Sequence, residues 1–439
     1  MKRVIKRVII SGAGGRDFHN YLVYFRRQPD FEVVAFTAAQ IPGIEKRHFP
    51  KQLTRTRRKD ILIYPEHMLP ALIKKLHADY VYLAYSDLSH QFVAQFASRV
   101  LAAGANFGLL GTNDTYIVSK KPVIAVCAVR TGSGKSQTSR AIAEIFRKHG
   151  KKVVGVRHAM PYGNLMEERC QRFASSKDFA KFKTTIEEEE EYQPWIDHGF
   201  VVYSGFDYAE IVRQAEKEAD VIVFDGGNND IPFIKPDVHI TVADPHRPGH
   251  ETTYYPGFVN VLLADVIVIN KVDSAKRADV DLVEKNVRAA NPTAKIIRAR
   301  SDLVVDHPEW IAGKRCALVG DGPTLSHGGM SFGAATVAVR LYGGKIVPVR
   351  AFAVGSIKKT FEKFPHLQHE IPAMGYGKKQ IKELEQTINR VPCDVVIDGS
   401  PANLSRMMKI NKPFVTVDYE LGKDAMKELE KILKKRGIV

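Results

Sequence analysis

The stretch Thr131-Gly-Ser-Gly-Lys-Ser136 has the residue types and order needed to hold a chain of phosphates. Gly132 and Gly134 lack a Cβ, so backbone N–H groups there can turn inward and approach an anion closely. Lys135 would set a cation on the outer phosphates, and the Ser136 hydroxyl is a hard oxygen ligand suited to Mg2+. Thr131, Ser133 and Gln137 complete the stretch expected to contact a nucleotide. The first glycine of GxxxxGK[ST] would fall at residue 129, where this chain has Val. Such a loop needs a buried strand before it and a helix after it, the positive helix end aimed at the anion. The apolar run Val123–Val129 and the helical stretch Gln137–His149 meet that need.

Further residues extend the chemistry. Asp225 closes the apolar run Val221–Phe224 and precedes Gly226 and Gly227. A carboxylate at the end of a core strand is where a Mg2+ partner sits in such folds, so Ser136 and Asp225 are the expected metal ligands. Asn270, Lys271 and Asp273 form the NKxD element that reads guanine in many P-loop GTPases. An aspartate there accepts from the guanine N1–H and 2-amino group together, a donor pair adenine lacks. The element favours GTP, and the choice between ATP and GTP stays open. Arg130 stands where one P-loop class carries an extra basic residue that reaches a neighbouring subunit's nucleotide. Either it stabilises the transferring phosphoryl group across a homodimer, or it faces solvent or pairs locally. Lys135, Arg130 and Asp225 are thus the catalytic candidates.

Arg157 and His158 follow one predicted strand, and His246, Arg247 and His250 follow another. Loops at the C-terminal ends of parallel strands line the ligand crevice, so these five are expected to bind an acidic small molecule. The spacing His246-x3-His250-Glu251 also permits a metal site, but Pro245 and Pro248 argue against one helix presenting both rings.

The elements that must position these residues fall into three blocks. The expected class is α/β, with a Rossmann-like domain over 1–118 and a central P-loop NTPase domain with a parallel sheet over 119–312. A smaller α/β domain occupies 313–439. Strands are predicted at Arg3–Ser11, Phe31–Thr37 and Ala78–Ala84, and helices at Phe18–Arg27 and Ser89–Ala103. Gly12-x-Gly14-Gly15 resembles a dinucleotide fingerprint, but the last glycine would fall on Asp17, and a plain tight turn reads equally well. In the central block, strands are predicted at Lys152–Val156, His239–Val242 and Val266–Ile269, while Glu187–Glu191 reads as a solvated helix face. The last block has predicted strands at Arg315–Val319 and Asp394–Ile397, a glycine-rich loop at Gly320–Gly329 and a basic amphipathic helix at Lys423–Lys435.

Composition bounds the class. With 439 residues, 44% hydrophobic and 26% charged, the chain reads as a soluble protein of two to four domains. Its apolar runs are strand-sized, so no membrane span is expected, and the basic start Met1–Arg7 lacks the apolar stretch of a signal peptide. Cys127, Cys170, Cys316 and Cys393 are far apart, which fits a cytoplasmic setting. The net charge of +16 would suit nucleic acid, but the basic residues are spread without an arginine-rich arm. A nucleotide and an anionic substrate account for part of that charge.

Longer motifs carry a resemblance. They are Ser11–Asn20, Ala128–Ser139, Asp225–Asp230, Ala243–His250 and Asp321–Gly329. Through them the chain resembles, over essentially its whole length, the cyclic 2,3-diphosphoglycerate synthetase-like family of archaea and bacteria. The resemblance implies an ATP-dependent synthetase that closes 2,3-diphosphoglycerate into its cyclic anhydride and releases ADP and phosphate. The γ-phosphoryl would pass to one phosphate of the substrate, and the other would displace it. Asn270–Asp273 departs from ATP use and keeps a second reading open, a GTPase acting as a switch or in metal delivery.

Overall fold

Runs of Val and Ile, buried on both faces, make the centres of three largely parallel sheets. The computed structural model describes residues 4–39, 47–56, 59–158, 160–161, 163–227, 230–326, 328–374, 378–402 and 404–439. Asn228 and Asn229 of the Asp225–Asp230 motif and His327 of the glycine-rich loop lie outside them. The first sheet runs in the order His48–Phe49, Ile61–Pro65, Phe31–Ala38, Lys6–Ser11, Tyr80–Leu83, Asn106–Gly108. Only His48–Phe49 is antiparallel to its neighbour. The second has eight strands, with Val123–Ala128 between Val221–Asp225 and Val238–Ala243. The third places Arg315–Asp321 beside Val395–Gly399, followed by Phe414–Leu421. The chain is therefore mixed α/β with parallel sheets and a P-loop NTPase-like centre. Among the described residues no helix is long and apolar enough to cross a membrane.

Three placements differ from the sequence reading. The strand Ser301–Val305, read with the central block, pairs antiparallel with Phe414–Leu421 of the third sheet. The helix Lys423–Lys435 packs Ala425, Leu429 and Leu433 into the same core as Ile142 and Phe146 of the phosphate-loop helix. Its apolar stripe was legible, but the surface that receives it is set by the path of the returning chain. Finally, Glu187–Glu191 is not a solvated face. Thr185 and Glu188 form a capping box that starts the helix Ile186–Asp197. Glu187, Glu188 and Glu190 are buried: Glu188 turns back to Thr185 and lies beside Glu168 and Ser204 of the central block, while Glu190 faces Asp321 and Asp398 of the third sheet.

Arginines cross the boundaries between sheets. Arg16 pairs with Asp230 at 3.4 Å, Arg130 with Asp87 at 2.6 Å and Arg140 with Asp418 at 3.3 Å. These contacts bring the C-terminal ends of the strands of all three sheets to one cleft.

Candidate functional site

The cleft has a volume of about 940 Å³ and is lined by the turn after the first strand, the phosphate loop and the loops after the third sheet's strands. The phosphate loop follows the strand Val123–Ala128 and opens the helix Lys135–Lys148. Val129, where a first glycine would stand, is buried against Ala243 and Val261. Gly132 and Gly134 adopt φ of +79° and +101°, conformations that disfavour side chains. At Gly134 packing adds to this, since a Cβ would lie 2.0 Å from Asn270 Nδ2.

Lys135 donates to Asp225 Oδ1 at 2.6 Å. Asp225, fully buried at the end of Val221–Asp225, also accepts from Arg157 and from Trp195 Nε1 at 3.1 Å. Burial pushes its carboxyl up, but Arg157 and Lys135 outweigh burial and hold it well below the usual carboxylate range. Burial and the Arg157 charge bring Lys135 down to about 8. The Lys135 ammonium is thus paired inside the chain, with Asp225.

Ser136 Oγ lies 3.4 Å from Arg157 Nη1, which also contacts Asp225 Oδ2. The two oxygens expected to hold Mg2+ therefore bracket one point, where a guanidinium nitrogen now sits. A hydroxyl and an ionised carboxylate around a position that already holds positive charge fit Mg2+, provided Arg157 withdraws.

The NKxD residues divide in two. Asn270 Nδ2 donates to Ser133 O at 3.0 Å, and Lys271 Nζ donates to Gly132 O at 2.6 Å and to Asp244 at 3.3 Å. Both brace the loop from behind. Asp273 lines the cleft and accepts from Ser301 N at 2.9 Å. Asp244, which sequence reading passed over, is fully buried. Burial would raise its carboxyl, but Lys271 and Arg247 keep it well below the usual range. Its place at the end of Val238–Ala243, like that of Asp225 on the far side of Val123–Ala128, was the available signal.

Arg130 is turned into the chain. Its Nε donates to Asp87 Oδ1 at 2.6 Å, its Nη1 meets His250 Nδ1 at 2.6 Å, and its guanidinium lies 3.8 Å above the Tyr254 ring. Those contacts correspond to local pairing, the plainer of its two readings, with Asp87, in the segment after Tyr80–Leu83, as ion-pair partner. Burial and Arg130 bring His250 down to about 4, which suits a neutral ring accepting from the guanidinium.

Of the five residues expected to bind substrate, Arg157, His158 and His246 line the cleft. Burial and Arg157 lower His158 to about 3, so its ring is neutral, and it packs where a Cβ on Gly227 would lie 1.8 Å from Nδ1. His246 Nε2 meets Ser274 Oγ at 3.0 Å. Arg247 is a brace instead. It donates to Thr131 O at 2.8 Å, Asp244 at 2.7 Å and Gly328 O at 2.7 Å, tying the phosphate loop to the third domain's glycine-rich loop. His250 sits behind Arg130 in the same way.

The backbone donors of the first sheet's glycine turn are taken within the chain. Asp17 Oδ1 accepts from the backbone N–H of Gly14 at 2.6 Å, Gly15 at 3.1 Å and Phe18 at 2.7 Å. The chain's own carboxylate occupies the place a dinucleotide's phosphate would take, which favours the plain-turn reading.

Residues 198–299 match the family model for the P-loop domain of cyclic 2,3-diphosphoglycerate synthetase. The arginine synthetase ArcE of Thermococcus kodakarensis is 54% identical over 430 residues, covering 98% of this chain and 96% of that protein. A cyclic 2,3-diphosphoglycerate synthetase from Thermococcus sibiricus is 31% identical over 100 residues, 22% of this chain and 23% of that protein. Among solved structures, LpxK from Aquifex aeolicus in complex with ATP aligns with 84% of this chain and 99% of its own at 10% identity, with a TM-score of 0.41.

Proposed function

The chain belongs to the cyclic 2,3-diphosphoglycerate synthetase-like family of P-loop proteins, which also holds ArcE, and from that premise we propose that it is a synthetase that forms arginine using a nucleoside triphosphate. One observation carries the choice of product. The likeness to ArcE spans 98% of the chain and so includes all three sheets that build the cleft, whereas the likeness to a 2,3-diphosphoglycerate synthetase spans 22%. The walls agree with it, since Glu187, Glu190 and Asp321 line the cleft, and acidic side chains offer a polyanionic substrate no positive partner.

The last bond of a guanidinium is a C–N bond. In the proposed reaction the oxygen of a ureido group attacks the γ-phosphorus, and the nucleoside diphosphate leaves with the bonding pair. Ammonia then adds to the ureido carbon and passes one proton to the phosphate, the C–O bond breaks toward phosphate with its bonding pair, and the positive charge stays on the guanidinium. Such a transfer asks the protein chiefly for positioning and charge. Lys135 would exchange Asp225 for the outer phosphates, and the backbone of Thr131–Ser136 would hold the chain behind them. Arg157, released from Asp225, would face the transferring phosphoryl group. Ser136 and Asp225 would hold Mg2+, which when bound offsets the charge of the phosphate oxygens. The competing reading, anhydride closure of 2,3-diphosphoglycerate, draws on the cationic side of the cleft at Lys135 and Arg157.

Purified protein with Mg2+, citrulline and ammonium should release phosphate and arginine in equal amounts with ATP or GTP, and the better nucleotide settles the base. Phosphate release that responds to 2,3-diphosphoglycerate but not to citrulline and ammonium would overturn the proposal.

A further inference from the structure

The helix Ile186–Asp197 presents Glu190 to the cleft across from the ends of two third-sheet strands, Arg315–Asp321 and Val395–Gly399. Glu190 is 6% exposed, and among the described residues neither carboxylate oxygen has a hydrogen-bond partner. The charged groups that act on it are Asp321, Glu187 and Asp398, all of its own sign. Asp321 accepts from Thr324 Oγ1 at 2.6 Å and Asp398 from Ser400 N at 2.9 Å, and neither makes a hydrogen bond to Glu190. Burial, and then these neighbours, push the Glu190 carboxyl well up. A buried acid of this kind holds its proton by itself, and a cation from outside the chain placed beside it would let it ionise.

The surroundings specify the cation. Leu325, Met330, Ala334 and Val337 line the same side of the cleft, so an aliphatic stem has apolar walls beside the carboxylates. Strands Arg315–Asp321 and Val395–Gly399 are adjacent and parallel, with their next neighbours on opposite sides, which makes their C-terminal ends a switch-point crevice. The site also adjoins the phosphate loop. Glu191, the next residue, is ion-paired with Arg157, and Arg157 contacts Ser136 and Asp225.

We propose that Glu190, with Asp321 beside it, seats the planar N–H edge of a guanidinium and of the ureido group from which it forms. The proposal rests on the arginine-forming reading and gives it a location. A carboxylate matches two parallel N–H donors of such a group, and neither a phosphate nor a carboxylate ligand can replace them.

The test compares wild type, Glu190→Gln and Asp321→Asn by calorimetric titration with arginine, agmatine and Mg2+-ATP or Mg2+-GTP, and by thermal unfolding without ligand. Glu190→Gln should weaken arginine and agmatine about tenfold or more while leaving nucleotide affinity unchanged. Without ligand it should unfold at the same temperature as wild type or higher, because an uncompensated acid has been removed. Asp321→Asn should weaken the same two ligands less. Wild-type affinity for arginine and agmatine in Glu190→Gln, with arginine still formed, would overturn the subsite and leave the reaction standing. Agmatine binding that depends on Glu190 in a protein that makes no arginine would keep the subsite and remove the reaction. A lower unfolding temperature for unliganded Glu190→Gln would mean the acid serves the fold, and would overturn the proposal.

Discussion

Two glycine-rich turns follow the strand Lys6–Ser11 and the strand Val123–Ala128, and each leads into a helix at the edge of the same cleft. In the first, three backbone N–H groups close on Asp17, a residue of the turn itself. In the second, the nearby carboxylate is Asp225 on the adjacent strand, and it holds Lys135 rather than the backbone. An anion within the turn stays tethered to it, whereas a lysine on a neighbouring strand's carboxylate can be transferred to a ligand. Glycines make a turn able to cradle an anion; the source of the anion decides whether it cradles a ligand.

The sharpest test of that contrast removes the exchangeable partner. Lys135→Ala should lower nucleotide-driven phosphate release by about a thousandfold, as measured by steady-state turnover. Asp225→Asn leaves Arg157 and Lys135 buried with less compensation, and should cost about 3 kcal/mol of stability in denaturant unfolding as well as most of the turnover. In the first turn, Asp17→Ala should cost about 1–3 kcal/mol by the same measurement, leaving turnover within about threefold of wild type. A dinucleotide affinity gained by Asp17→Ala would break the comparison, since it would mean that the turn was blocked rather than built closed.

The smallest effect is one of pH. Burial and Arg157 set Lys135 near 8 in the free protein. Below that value it carries its charge, and above it nucleotide binding must take up a proton. Nucleotide affinity should therefore fall as pH rises past about 8, by at most about tenfold per unit, with proton uptake visible on titration in buffers of different ionisation enthalpy. The same lysine is protonated at higher pH in the unfolded chain, so its contribution to stability rises from about pH 8 toward its ordinary value near 10.5. Affinity and stability thus move in opposite directions over that window.

Much of the site was readable where the chemistry is local. The strand, glycines, lysine and helix of the phosphate loop are neighbours in sequence, and Asp225 announces itself at a strand end. Arg130 and Arg247 had the right charge, yet their partners Asp87 and Gly328 lie 43 and 81 residues away. Nothing local distinguishes an arginine that awaits a ligand from one that braces a loop. Glu187–Glu191 misled for a related reason. Five consecutive acids read as solvated, yet Glu190 is buried against Asp321 and Asp398, which come from segments more than a hundred residues on.

By itself the sequence determined the α/β class, the phosphate loop and the strand-end acids, because each depends on residue type and spacing within one strand–turn–helix unit. Tertiary structure alone decided which charges are neutralised inside the chain and which face the cleft. Charge pairing depends on distance in space, and here the pairs are made across three sheets. It left Glu190 without a described partner, docked the final helix on the phosphate-loop core and closed the first glycine turn on Asp17.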